Sequence, residues 1–151
     1  MTSQGIRIFD KKNGLGFVDF LNILKEIPNG NVFHWSILFM DVIGDLGEGK
    51  SIPEFEKKIF ESKNGFFIDW ENLNSLAKKC EQIIDISIIG CKDVNLLQRY
   101  ENEQEMYETC DIVIEMINSV CWEIFSKDKE LINRLAIKFK KIQFLEPNFM
   151  E

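Results

Sequence analysis

The sequence is poor in several chemistries. It has one histidine, His34, and four cysteines, Cys80, Cys91, Cys110 and Cys121, no two of them spaced as a C-x-x-C pair. A structural zinc site needs four closely arranged Cys or His ligands, so zinc is not expected, nor is any other metal or cofactor. No apolar run reaches the roughly 18 residues of a membrane span, and the first residues lack the apolar core of a signal peptide. The default expectation is a soluble, cytoplasmic protein with reduced cysteines acting as small hydrophobes. There is no internal repeat, linker or low-complexity tract. The most local deficit is of positive charge: no Lys or Arg occurs between Tyr100 and Ser126.

What is present fills one domain. Of 151 residues, 45% are hydrophobic, with 13 Phe and 3 Trp, which argues against disorder and for a sizeable core. A single domain over residues 1–151 is expected. The formal net charge is -7, from 18 Lys+Arg against 25 Asp+Glu. Seven acids lie in the base-free stretch: Glu101, Glu103, Glu105, Glu108, Asp111, Glu115 and Glu123. The remaining 18 acids balance the 18 bases, so the whole excess sits in one segment. Such a balance disfavours direct binding of nucleic acid, whose phosphates would be repelled, and favours a basic partner.

Periodicity gives the element order. Phe17, Phe20, Leu21, Leu24 and Ile27 form one apolar helix face, closed by Pro28-Asn29-Gly30-Asn31. Val32 to Ile43 reads as a long strand, with Phe33, Trp35, Ile37 and Phe39 on one face and His34, Ser36, Leu38 and Met40 on the other. Ser51 suits an N-cap, with Pro53 in the first turn and Glu54 at N3. That helix should end near Asn64-Gly65, before the short apolar segment Phe66 to Ile68. Asp69 can cap the next helix, whose face runs Trp70, Leu73, Leu76, Ala77, Cys80, Ile83 and Ile84. Ile84 to Cys91 reads as a buried strand, and Asp93 to Thr109 as an acidic loop with a helical turn or two. Cys110 to Ile117 and Val120 to Phe125 read as a β-hairpin around Asn118-Ser119, pairing Glu115 with Trp122 if the turn has two residues. A last helix starts near Asp128 and uses Leu131, Leu135, Phe139 and Ile142. The fold expected is α+β, a single domain with a mixed or mostly antiparallel sheet, a C-terminal β-hairpin and helices packed on the sheet.

Gly44 to Ser51 matches G-x-x-x-x-G-K-S, the nucleotide-binding P-loop, and lies between a strand and a helix. There the backbone N–H groups would cradle phosphate, Lys50 would reach the outer phosphates, and Ser51 would hold magnesium. Against this, Asp45 and Glu48 put negative charge inside the loop. Pro53 and the Ser51-x-x-Glu54 cap place the helix start too late, and no magnesium-binding acid follows a buried parallel strand. A glycine turn followed by a capped helix is the plainer reading. His34 has no neighbouring nucleophile pattern and is read as structural. Glu115 and Glu123 would form an acid–base pair only if the hairpin register shifted, because the two-residue turn sets them on opposite faces.

The acidic segment supports two readings: a solvated surface, or a docking surface for a basic protein steered by clustered charge. In the second, Glu101, Glu103, Glu105, Glu108 and Asp111 meet the partner's Lys and Arg, and Tyr100, Tyr107 and Trp122 serve as anchors.

Three segments carry a resemblance. They are Phe33-His34-Trp35-Ser36-Ile37-Leu38, the glycine turn followed by Ser51 to Glu56, and Asp111 to Glu115 running on to Trp122-Glu123-Ile124-Phe125. Together with the small acidic make-up, they make the chain resemble the immunity proteins of bacterial polymorphic toxin and contact-dependent growth inhibition systems. The resemblance implies a cytoplasmic antidote that is not an enzyme. It would bind the basic C-terminal domain of a cognate toxin, such as a nuclease, and block its active site or substrate path. No catalytic or contact residue transfers with it. The rival classes are a nucleotide-binding protein built on Gly44 to Ser51 and a regulatory or scaffold protein.

Overall fold

A computed structural model describes residues 3–11 and 18–145. Its strands are β1 (Gln4–Ile8), β2 (His34–Gly44), β3 (Phe66–Ile68), β4 (Cys80–Cys91), β5 (Ile112–Ile117), β6 (Cys121–Ser126) and β7 (Ile142–Leu145). They form one sheet in the order β3-β2-β4-β5-β6-β1-β7, every pair antiparallel. The α-helices among the described residues are α1 (Phe20–Leu24), α2 (Ile52–Glu61), α3 (Trp70–Lys79), α4 (Glu103–Thr109) and α5 (Lys129–Lys138). The fold is therefore α+β in a single domain, with the expected hairpin at β5–β6.

Local chemistry sets the helix starts. Ser51 Oγ accepts from the Glu54 N–H, Asp69 Oδ1 from Asn72, Asn102 Oδ1 from Glu105 and Asp128 Oδ1 from Glu130. Each cap satisfies a first-turn donor that has no partner within the helix. Helix ends fall earlier than the apolar periodicity predicts. The α3 pattern runs on to Ile84, but Cys80 already takes extended geometry and begins β4. Likewise Phe139 is the C-cap of α5, and Ile142 belongs to β7 rather than to the helix. Phe17, placed on the first helix face, lies outside the described residues.

The two sheet faces are covered differently. Ile6, Ile8, Ile37, Ile88, Ile114, Trp122 and Ile124 point to the main core, which is closed by Phe20, Ile23 and Leu24 of α1, Leu73 and Leu76 of α3, and Leu131, Ile132 and Leu135 of α5. On the other face a smaller core gathers Ile89, Val113 and Phe125 under Leu97, Met106, Tyr107 and Cys110. The segment after β4 is held in place by Arg99. Its guanidinium donates to the carbonyls of Leu38 (2.6 Å), Ile59 (2.7 Å) and Ser62 (3.1 Å), two of them at the C-terminal end of α2.

Two irregularities decide which side chains share a face. In β2 the register against β4 slips between Ile37 and Phe39, leaving Leu38 without an opposite residue. This bulge changes the alternation. Trp35 and Ile37 face the main core, but beyond the bulge Met40 and Val42 do, and Phe39 is turned out, 50% exposed. Phe39 therefore does not share the face of Trp35 and Ile37. In the hairpin, Asn118 and Ser119 both have positive φ, at 48° and 58°, and the Val120 N–H bonds the Ile117 carbonyl, as in a type I′ turn. Val120 is an extra residue after that turn, so Ile117 pairs with Cys121 and Glu115 with Glu123. A shift of one residue exchanges faces for the whole strand.

Candidate docking face

On the face that carries α4, the residues fall into cross-strand rows. The first, Ile89–Val113–Phe125–Gly5–Leu145, is apolar and buried. Gly5 is required there, because a Cβ would stand 2.5 Å from the Phe125 ring. The second row is Phe39–Ser87–Glu115–Glu123–Arg7–Gln143. One pleat further on, Asp41 lies opposite Asp85, next to the exposed Ile43, Ile117 and Val120. The helices α1, α3 and α5 close the opposite face, and α4 covers only the first row and part of the second.

This face thus holds two in-register carboxylate pairs, Glu115/Glu123 and Asp41/Asp85. Like charges directly opposite each other destabilise a sheet. The first pair is buried, at 9% and 4% exposure, and the second is half-buried. Glu123 is compensated by Arg7, whose Nε lies 2.7 Å from its Oε2. Glu115 Oε1 accepts from the Tyr107 hydroxyl at 2.8 Å, and that hydroxyl also lies 3.4 Å from Glu103 Oε2. Burial pushes the Glu115 carboxyl up to about 7. Hydrogen bonding from Tyr107 and Ser87 opposes the shift, while Glu103 and Glu123 add to it. The Tyr107 hydroxyl is held well above its usual range, first by burial and then by Glu115. Asp85 Oδ1 accepts from the Asn118 N–H at 2.8 Å, and no Lys or Arg pairs with Asp41 or Asp85 among the described residues.

The predicted partner-binding residues divide into three groups. Glu101, Glu103, Glu105 and Glu108 are exposed, and none has an ion-pair partner among the described residues. Glu105 and Glu108, three apart, lie on the side of α4 opposite the buried Met106 and Tyr107, whereas Glu103 leans toward Tyr107. Asp111 is half-buried and structural, its Oδ2 accepting from the Lys92 N–H at 2.7 Å. The aromatic anchors are not at the surface. Tyr107 is buried, its ring stacked on Phe125 at 4.0 Å. Trp122 is buried on the opposite face of the sheet, stacked on Phe20, with its indole N–H donating to the Val18 carbonyl at 2.9 Å. The one-residue register change put it there. Tyr100 is half-buried and donates to the Leu96 carbonyl at 2.6 Å. The exposed apolar residues beside the acids are instead Phe39, Ile43, Ile117 and Val120. Asp41 and Asp85 are not among the partner-binding residues predicted from the sequence, since each sits inside an apolar strand. An acid flanked by branched residues was the available signal.

A cavity of about 410 Å³ opens beside this face, lined by Arg7, Phe9, Glu103, Tyr107, Ile117, Val120, Cys121 and Glu123. Glu115 lies behind Tyr107 and does not line it. The two buried glutamates do share a face, as an acid–base pair would need, but only Glu123 reaches the cavity, and there it is tied to Arg7. Among the described residues no group of three or more His, Cys, Asp or Glu side chains is arranged to hold a metal ion.

The loop resembling a P-loop joins antiparallel β2 to α2. Asp45 Oδ1 accepts from the Gly47 N–H, an Asx turn inside the loop, and the Ser51 oxygen caps α2. Gly49, Lys50 and Ser51 line one end of a groove of about 510 Å³ between α2 and α3, which Lys58 and Lys79 also border.

No family model matches the chain, and no solved structure matches it significantly. A histidine–tRNA ligase from Campylobacter hominis is similar at 26% identity over 101 residues, which is 65% of this chain and 22% of that enzyme. The chain spans about a fifth of the length of that relative. No helix among the described residues is long and apolar enough to cross a membrane.

Proposed function

We propose that this is a cytoplasmic binding protein, not an enzyme, that docks a basic protein on the face carrying α4. The observation that carries this reading is the half-buried, in-register pair Asp41/Asp85 beside the four exposed glutamates Glu101, Glu103, Glu105 and Glu108, none of these six with an ion-pair partner among the described residues. Such an arrangement works against the free fold and is relieved when Lys or Arg side chains approach. The exposed Phe39, Ile43, Ile117 and Val120 supply the apolar contact that charge alone lacks. Among basic partners the reading favours the C-terminal domain of a toxin, such as a nuclease, whose cationic groups otherwise hold nucleic-acid phosphate. The protein is then an immunity protein of the contact-dependent growth inhibition kind. The test is co-expression with the product of the reading frame directly upstream. The wild type should form a complex and rescue growth. The triple variant Glu101→Lys, Glu105→Lys, Glu108→Lys should associate at least about tenfold more slowly. Full protection by the triple variant at moderate salt contradicts the reading.

A second reading is favoured by one observation: Lys50 and Ser51 open on a groove that Lys58 and Lys79 also border. In this reading the groove takes the phosphates of a nucleotide. ATP or GTP binding that is lost in Lys50→Ala supports it, and absence of nucleotide binding by the wild type ends it.

A further inference from the structure

The helix α4 has seven residues, too few to be stable alone. Its buried side chains are Met106 and Tyr107. Tyr107 makes two contacts with the sheet: its ring stacks on Phe125, and its hydroxyl ends on Glu115. The seat of the helix is thus a buried carboxyl group. Around it stand Glu123 from β6, Ser87 from β4, and Glu103 and Tyr107 from α4, while Arg7 from β1 is bonded to Glu123. Among the described residues one guanidinium, that of Arg7, serves two buried carboxylates whose Cβ atoms are roughly 5 Å apart by their cross-strand pairing.

We propose that Glu115 is a proton-operated latch for α4: neutral, it seats the helix through Tyr107; ionised, it is repelled by Glu123 and Glu103 and releases the helix. Seating takes up one proton. The donor bond from Tyr107 favours the anion, but desolvation and the two neighbouring carboxylates oppose it more strongly, and the carboxyl titrates near neutrality. Release uncovers the apolar row at Val113 and Phe125 and moves Glu105 and Glu108, so the face has a closed and an open form. Its consequence for docking rests on the function proposed above, but the latch itself belongs to the free chain.

The test is amide hydrogen exchange of residues 103–109 in the full chain without any partner, at pH 6 and pH 8, corrected for intrinsic exchange. With the carboxyl returning to its ordinary range on release, opening of α4 should rise about tenfold between the two. The amides pairing β2 with β4 should not follow. In Glu115→Gln the rise should vanish, with protection at both pH values at least equal to that of the wild type at pH 6. Glu123→Gln, which removes the facing charge and leaves Arg7 beside Glu115, should reduce the rise and covers the case in which Glu115→Gln fails to fold. Equal α4 protection at both pH values in the wild type overturns the latch, as does an undiminished tenfold rise in either variant. A working latch in a chain that binds no basic partner would refute the docking reading alone.

Discussion

Replacing Glu115 by Gln should make the protein relatively more stable as pH rises. Gln keeps an acceptor for the Tyr107 hydroxyl and cannot ionise. In the wild type the folded carboxyl titrates at about 7 against an ordinary 4.5. A raised acid adds stability that is fully present below the unfolded value and lost as pH climbs through the folded one. At about 1.4 kcal/mol per pKa unit, Glu115 should remove roughly 2–3 kcal/mol of wild-type stability between pH 5 and pH 8. Urea unfolding of both proteins at pH 5, 6, 7 and 8 measures this, and the other titrating groups cancel in the difference. Variant minus wild type should grow by that amount, with most of the change between pH 5 and pH 7. A difference that stays flat across the range refutes a buried, reluctantly ionised Glu115.

Three other perturbations follow from the packing. Deleting Val120 removes the extra hairpin residue and turns Trp122 and Ile124 toward the charged row, so loss of cooperative thermal unfolding is expected. Arg99→Ala removes the guanidinium from three carbonyls, of which those of Ile59 and Ser62 keep the N–H groups of Ser62 and Gly65, and should cost about 2 kcal/mol in urea unfolding, with faster exchange in residues 94–110. Gly5→Ala drives a methyl group into the Phe125 ring and should cost about 1–3 kcal/mol, disturbing the near-ultraviolet signal of Tyr107 stacked beyond it.

Much of the architecture was legible because caps and periodicity are local. Ser51, Asp69 and Asp128 each cap a helix from the position their chemistry suggests. The hairpin followed from Asn118-Ser119 between apolar runs, but its register did not. The faces were not legible. Bulges at Leu38 and Val120 are single-residue insertions that carry no composition signal, yet each reversed the alternation. Trp122 thereby left the acidic face for the main core, and Glu123 joined Glu115. The end strands β1 and β7 escaped as well. Gln4–Ile8 is too short to show its period, and Ile142 continued the helical spacing of α5 until Phe139 broke it. The acids of α4 were found by counting charge. Asp41 and Asp85 were not, because only pairing across the sheet brings them together.

The central claim is that this acidic face recognises a basic protein. Its most direct test is the association rate with the product of the reading frame directly upstream, the basic partner that the proposed function expects, measured by stopped flow at about 0.05 and 0.3 M salt, where screening differs by more than twofold in length. Wild-type association should be fast and fall steeply with salt, and the triple Lys variant at 101, 105 and 108 should be slow and nearly salt-independent. Equal rates and equal salt dependence for the two proteins would contradict the account.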